Sequence, residues 1–330
     1  MGSPLIVAVA HPVHANLYDG DAMHSGAHLR RTKTDWQLRS RALSLGARTL
    51  VMGVVNITPD SFSDGGKFHD PEQAIAHGLQ LLAEGADLLD LGAESTRPGS
   101  GAGDPQTAAV SAGEEQGRLL PVIEGLLKAC PDVILSVDTY KSSTARAALA
   151  AGAEIINDVS GFTWDPGMRQ VCVQSRCGVV LMHIRGLPAE WPTQQPLASA
   201  SVLPLVREGL AKSRQTALDA GIAPEALVLD PGYGFGKRFN ENYVLLALQA
   251  DLLALGCPLL AGLSRKSFLS RTLAQSGKLS GQHVSTESRE TASIAALVTA
   301  ILNGASIVRV HSVVEAVEAA AIADAVLAAV

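Results

Sequence analysis

Short apolar runs in this chain repeatedly end in residues able to do polar chemistry. Asn56 follows LVMGVV, Asp90 closes DLLD, and Asp138 follows VILSV. Asn157 and Asp158 follow EII, His183 follows VVLM, and Asp230 follows LVL. The LLAGL run leads into Ser264-Arg265-Lys266-Ser267, and IVRVH carries Arg309 and His311. A carboxylate can accept paired hydrogen bonds or steady a nearby positive charge. Arg309 and His311, two apart on a strand, point the same way and suit an anion such as a phosphate. Each residue taken singly also has a plainer reading. A strand-end Asp or Asn commonly caps the following helix, and Arg309-Val310-His311 also fits a surface strand end. Capping does not explain why polar groups close all eight runs.

Positioning such residues requires strands, and the pattern supplies them. Candidate strands are Val51–Asn56, Asp87–Gly92, Val133–Asp138, Glu154–Asn157, Val179–His183, Leu227–Asp230, Leu259–Leu263 and Ile307–His311. Helical periodicity covers Pro71–Glu84, Ala112–Ala129, Ser142–Ala151, Pro166–Ser175, Val202–Ala220, Asn242–Ala254, Glu287–Leu302 and Ser312–Ala328. In the Glu84-Gly85-Ala86, Ala151-Gly152-Ala153 and Asn303-Gly304-Ala305 turns, glycine ends a helix and a strand starts within two residues. Eight strand–helix alternations predict an α/β protein with a closed (β/α)8 TIM barrel, whose chemistry gathers at the carboxyl ends of the strands. The 330-residue length accommodates one such barrel. Asp35–Thr49 alternates as a hairpin does, placed to plug the amino-terminal end of the barrel. The expected organisation is a tail over residues 1–30 and a single barrel domain over 31–330, with the hairpin at about 35–49.

Hydrophobic residues make up 47% of the chain and charged ones 18%, which suits a large buried core. A net charge of −6 offers no global field for nucleic acid, so an anionic substrate must be held by local Arg and Lys. Cys130, Cys172, Cys177 and Cys257 have no CxxC spacing and read as buried free thiols of a reducing cytosol. No apolar run is long enough to span a membrane, and Met1–Ala15 lacks the basic start of a signal peptide. Ile6 breaks the myristoylation pattern. His11, His14, His24 and His28 in the tail have weak metal-ligand spacing, against the plainer reading of a poorly packed segment.

The loop after the first strand reads Asn56-Ile57-Thr58-Pro59-Asp60-Ser61-Phe62-Ser63-Asp64-Gly65-Gly66, and this resembles the first motif of the dihydropteroate synthases. Further motifs occur in the family's order: Glu94-Ser95-Thr96-Arg97-Pro98-Gly99, Asp138-Thr139-Tyr140-Lys141, Ile156-Asn157-Asp158, Met182-His183, Asp230-Pro231-Gly232 through Gly236-Lys237, Gly262-Leu263-Ser264-Arg265-Lys266-Ser267, and Arg309-Val310-His311. The resemblance runs from Leu50 to the end. The departures are Tyr233 and the Ile184-Arg185 pair after His183.

The resemblance implies a transferase of folate biosynthesis that joins 4-aminobenzoate to 6-hydroxymethyl-7,8-dihydropterin pyrophosphate, releasing pyrophosphate and 7,8-dihydropteroate. It implies Asp138, Asn157, Met182, Asp230, Gly262 and Lys266 around the pterin, with Asp138, Lys266, Asp230 and Arg97 as the catalytic set. Asn56, Thr96, Arg309 and His311 would hold pyrophosphate, with Asn56 on a Mg²⁺ ion. Phe62, Thr96, Arg97, Pro98, Phe235, Ser264 and Lys266 would line the 4-aminobenzoate site. It further implies a cytoplasmic homodimer built through outer helices, of which Ser312–Ala328 is alanine-rich enough to pack closely, and a sulfonamide target. Two related readings are the pterin-binding domain of a methyltetrahydrofolate methyltransferase and a non-catalytic pterin binder. Ser264-Arg265-Lys266 with Arg309-x-His311 speaks against the first, and intact Asn56, Asp138 and Lys266 against the second. A structural barrel protein would explain none of the rim.

Overall fold

The computed structural model describes residues 31–58, 71–96, 101–104, 110–276 and 285–329. An antiparallel hairpin comes first, with β1 (Thr34–Gln37) paired to β2 (Ala42–Leu45). Eight parallel strands follow and close into a barrel. They are β3 (Leu50–Asn56), β4 (Leu88–Gly92), β5 (Leu135–Asp138), β6 (Ile155–Asp158), β7 (Gly178–Met182), β8 (Leu227–Asp230), β9 (Leu259–Ala261) and β10 (Ala305–Val310). Neighbours in sequence are neighbours in the sheet, and β10 pairs with both β9 and β3 to complete the ring. The helices are α1 (Pro71–Ala83), α2 (Ala112–Ala129), α3 (Ser142–Ala151), α4 (Met168–Ser175), α5 (Ser199–Ala220), α6 (Phe239–Ala247), α7 (Ser267–Gln275), α8 (Thr286–Leu302) and α9 (Val313–Ala328).

Strand alternation sorts the core into two compartments. Outward-facing Leu89, Leu91, Val137, Ile156, Val179, Leu181, Leu229 and Val308 pack against the helices. Inward-facing Leu50, Met52, Leu88, Ile134, Ile155, Val180, Val228, Leu260 and Ile307 fill the amino-terminal half of the barrel. The hairpin closes that end with Trp36, Leu38 and Leu45, all in the inner cluster. Trp36 Nε1 donates to Ala226 O at 2.9 Å, so the indole is buried without an unmet polar group. Gly178 allows this closure: a Cβ there would lie 2.6 Å from Leu38 Cδ2.

Three elements differ from the sequence expectation. The hairpin ends at Leu45 rather than Thr49, because Gly46 at φ +88° turns the chain out of the ribbon. The run expected as one helix over Asn242–Ala254 is split into α6 and a 3-10 stretch, Gln249–Leu255. Gln249 is buried there, accepting from Tyr233 Oη at 2.7 Å and donating to Ala300 O and Asn303 O at 2.9 Å each. That threefold anchoring holds the chain off α-helical register. Helix α7 lies in a stretch given no element from sequence, since its nine residues are too short for periodicity to declare. Gly85, Gly152 and Gly304 each have positive φ, as the repeated helix-to-strand turn requires. Among the described residues no helix is long and apolar enough to cross a membrane, and the four cysteines are free.

Candidate active site

Above the apolar layers, the same inward-facing positions turn polar. Val54 and Asn56 on β3, Asp90 and Gly92 on β4, and Ser136 and Asp138 on β5 continue the inward rows. So do Asn157 on β6, Met182 on β7, Asp230 on β8, and Arg309 on β10. Gly92, Asp138 and Asn157 share one level by register, and Asp90 and Ser136 lie one level beneath. Sequence and pleat therefore place the charges at one end.

Arg309 links the carboxylates. Its Nε donates to Asp90 Oδ2 at 2.6 Å and its Nη2 to Asp138 Oδ2 at 3.0 Å. These contacts use two of the five N–H donors of a guanidinium. Burial alone would lower the Arg309 pKa, but Asp90 and Asp138 outweigh it and hold the group firmly cationic. Desolvation pushes the Asp138 carboxyl up to about 7. Arg309 opposes that rise, while Asp90, Glu115 and Asp158 add to it.

The other half of the pocket is built by β8 and the β9–α7 turn. Asp230 Oδ1 accepts from Gly232 N at 2.7 Å, which fixes the carboxylate at the head of its loop. Burial raises its pKa, against the pull of the Gly232 N–H, Lys266, Lys237 and Arg309. Desolvation lowers Lys266 to about 8, with Arg309 adding to the fall and Asp230 and Asp138 resisting it. The Lys266 ammonium lies 4.1 Å from the centre of the Phe235 ring, and Trp191 meets the same ring edge-on at 5.7 Å. Met182 is buried, and Gly262 leaves room beside Asp230 and Arg309, whose nearest atoms lie 3.9 and 4.0 Å from a hypothetical Cβ.

Lys237 is buried beneath this half, with Nζ donating to His183 O and Gly232 O at 2.7 Å each. It ties the turns after β7 and β8 together. His183 is buried, its pKa driven down to about 2 by desolvation with Lys237 adding, so the imidazole is neutral. Its backbone carbonyl anchors Lys237, and its ring lies against Gly209.

At the mouth, Asn56 and Thr96 are half-buried, and the His311 Nδ1 meets Ser264 Oγ at 3.0 Å. Arg265 holds the turn before Lys266 at φ +58°, its N–H donating to Ser293 Oγ at 2.9 Å. Lys141 ties the loop after β4 to the barrel, paired with Glu94 and with Glu115 at 3.1 Å. Phe62, Arg97 and Pro98 lie outside the described residues, as do most of the first loop motif and the tail histidines. The structure thus brings Asn157, Asp138, Asp230, Lys266, Arg309, Met182 and Gly262 to one end of the barrel, with Phe235 beside Lys266 and Ser264 beside His311.

Two residues with no role in the sequence reading belong to this constellation. Asp90 was visible there only as a strand end; that its alternation places it inward, two residues below the rim, was the available signal. Lys237 stood in a matched motif, but nothing local says that its ammonium reaches back to His183. Among the described residues no group of three or more His, Cys, Asp or Glu could hold a metal. Asn56, half-buried at the end of β3, presents a neutral amide oxygen, a hard donor of the kind Mg²⁺ takes.

The barrel is closed below and lined above by carboxylates, an amide and two cations, and the family model described as pterin binding enzyme matches residues 52–311. The chain is 42% identical to the dihydropteroate synthase of Mycobacterium leprae, over 82% of this chain and 90% of that one. A solved Xanthomonas albilineans dihydropteroate synthase with 4-aminobenzoic acid superposes with a TM-score of 0.76 at 43% identity, covering 90% of this chain and 99% of that one. A Yersinia pestis dihydropteroate synthase in a sulfonamide drug complex gives 0.78 at 38% identity, covering 90% and 100%. Within the pterin-binding class, the chain belongs to the dihydropteroate synthase family.

Proposed function

We propose that this chain transfers the dihydropterin methylene from pyrophosphate to the amine of 4-aminobenzoate. The carrying observation is the convergence of Asp138, Asp230, Asn157, Lys266 and Arg309 at one barrel end. The C–O bond to pyrophosphate breaks and its electron pair leaves with the phosphate oxygen. The amine nitrogen then attacks the methylene carbon and loses a proton. Asp230 accepts from the donor edge of the pterin, beside Asn157, and Lys266 donates to the ring carbonyl. Asp138 faces the positive charge that develops on the ring, where a fixed carboxylate in a sparsely hydrated pocket stabilises the transition state. Met182 packs against the ring face.

Arg309 carries donors beyond those given to Asp90 and Asp138, and with His311, Thr96 and Asn56 it meets the leaving group. A Mg²⁺ ion on Asn56 and the phosphates would neutralise charge that these side chains leave uncovered. Phe235, Ser264 and Lys266, with Phe62, Arg97, Pro98 and Thr96, would seat 4-aminobenzoate at the mouth. The same residues suit a sulfonamide, which is expected to compete with 4-aminobenzoate. The working unit is a cytoplasmic homodimer of single-barrel chains, residues 31–330, each with a tail over 1–30. Support for the dimer comes from α9, which leaves Ile322 69% and Val326 53% exposed one turn apart.

The test is pyrophosphate release on mixing the pterin pyrophosphate with 4-aminobenzoate, with and without Mg²⁺. Release that requires both organic substrates and falls on chelation supports the reading. Pterin binding without any pyrophosphate release or pyrophosphate affinity would place the chain with the methyltransferase-type binders instead.

A further inference from the structure

Asp90 is fully buried, yet its carboxylate is surrounded by donors rather than by apolar atoms. Oδ1 accepts from Ser136 Oγ at 2.6 Å, and Oδ2 accepts from Asn157 Nδ2 at 3.0 Å and Arg309 Nε at 2.6 Å. These partners come from β5, β6 and β10, so one side chain reaches across the barrel beneath the rim. Above it on β4 stands Gly92, with no side chain to cover it. Burying an ion in this way costs desolvation that an apolar residue of similar size would avoid. The arrangement is therefore explained by what it orients, not by stability.

Two consequences follow from the geometry. With Nδ2 committed to Asp90, the Asn157 amide turns its oxygen away from the carboxylate, toward a ligand that donates. With Nε on Asp90 and Nη2 on Asp138, the guanidinium plane of Arg309 is fixed at two points, and its other N–H groups are aimed by that plane. We propose that Asp90 is a positioning residue of the pterin site, setting which atom of Asn157 meets the pterin and clamping Arg309 against Asp138. This rests on the functional reading above. Asp90 touches no substrate and acts through its two partners.

The experiment is a double-mutant cycle read by calorimetry with 6-hydroxymethyl-7,8-dihydropterin, which carries no phosphates. Asp90→Ala removes the acceptor on which Asn157 Nδ2 and Arg309 Nε rest, and is expected to weaken pterin binding roughly 10- to 100-fold. In an Asn157→Ala background the same change should cost no more than about 3-fold, because the group it orients is gone. The second readout is the pH profile of kcat/KM. Asp138 is faced by Arg309, Asp90, Glu115, Asp158 and Lys266. Removing the Asp90 charge leaves Arg309 to Asp138 and takes away one repulsion, so the acid limb should move to lower pH. Additive losses in the cycle, or an unmoved acid limb, would overturn the proposal and leave Asp90 a structural group. If Asp90→Ala does not fold, Ser136→Ala removes only the hydroxyl on Oδ1, and its coupling to Asn157→Ala decides in the same way. Failure of the wild type to bind the pterin would instead overturn the functional reading itself.

Discussion

Replacing Asp138 by Asn separates the charge of the carboxylate from its shape. In the proposed reaction the ring turns cationic as pyrophosphate departs, and Asp138 is the anion at the rim. Two unit charges about 4 Å apart interact by about 4 kcal/mol at an effective dielectric near 20. Arg309, 3.0 Å from Asp138 Oδ2, cancels part of this in ground and transition states alike. What remains is roughly 2–4 kcal/mol, or about a 30- to 1,000-fold loss of turnover. The assay is steady-state pyrophosphate release across pH 5 to 9. Wild-type kcat/KM should fall as the pH drops below about 7, where the carboxyl takes up its proton. The Asp138→Asn variant should be slow and should lack that limb. Turnover within about threefold of wild type, or an acid limb that survives the substitution, would show that Asp138 only organises the rim.

Four further outcomes follow from the same geometry. Because Asp138 holds its proton more tightly when folded than the usual value of about 4, its ionisation disfavours the folded state above pH 7, and this is relieved between pH 7 and 4. Asp138→Asn should therefore melt higher than wild type at pH 8, with the difference closing toward pH 4; a lower melting temperature at pH 8 would contradict this. Arg309→Ala leaves Asp90 buried and uncompensated and should cost about 3–5 kcal/mol in denaturant unfolding. Arg309→Lys retains the charge without the fork, so it should melt nearer to wild type yet bind pyrophosphate roughly 10-fold more weakly by calorimetry. Gly178→Ala presses on Leu38 and should cost about 1–3 kcal/mol of stability, with an unchanged KM for the pterin; a shifted KM would mean that the two barrel ends are not independent.

The barrel and its polar rim were legible in the sequence because both follow from periodicity. Strand parity places Asp138, Asp230 and Arg309 inward, and repeated strand–helix turns make the ring. Pairings across the ring were not legible. Asp90 and Arg309 are separated by more than two hundred residues, and no local pattern says that a carboxylate on β4 will meet a guanidinium on β10. The same limit hid Lys237, whose partner carbonyl at His183 lies on another turn. Helix α7 was missed because nine residues carry too few periods, and the break after α6 because Gln249 is held by Tyr233, Ala300 and Asn303 from outside the run.

The hairpin beneath the barrel has a kinetic consequence. Among the described residues Trp36, Leu38 and Leu45 close the amino-terminal floor, so the proposed site is approached from the carboxyl end. On the proposed assignment a pterin bound at Asp230 and Asn157 would lie deeper than the aminobenzoate beside Phe235 and Ser264. An aminobenzoate seated first would stand in the path of the pterin. The proposed arrangement would therefore make uptake ordered, with the phosphorylated pterin entering before the aminobenzoate.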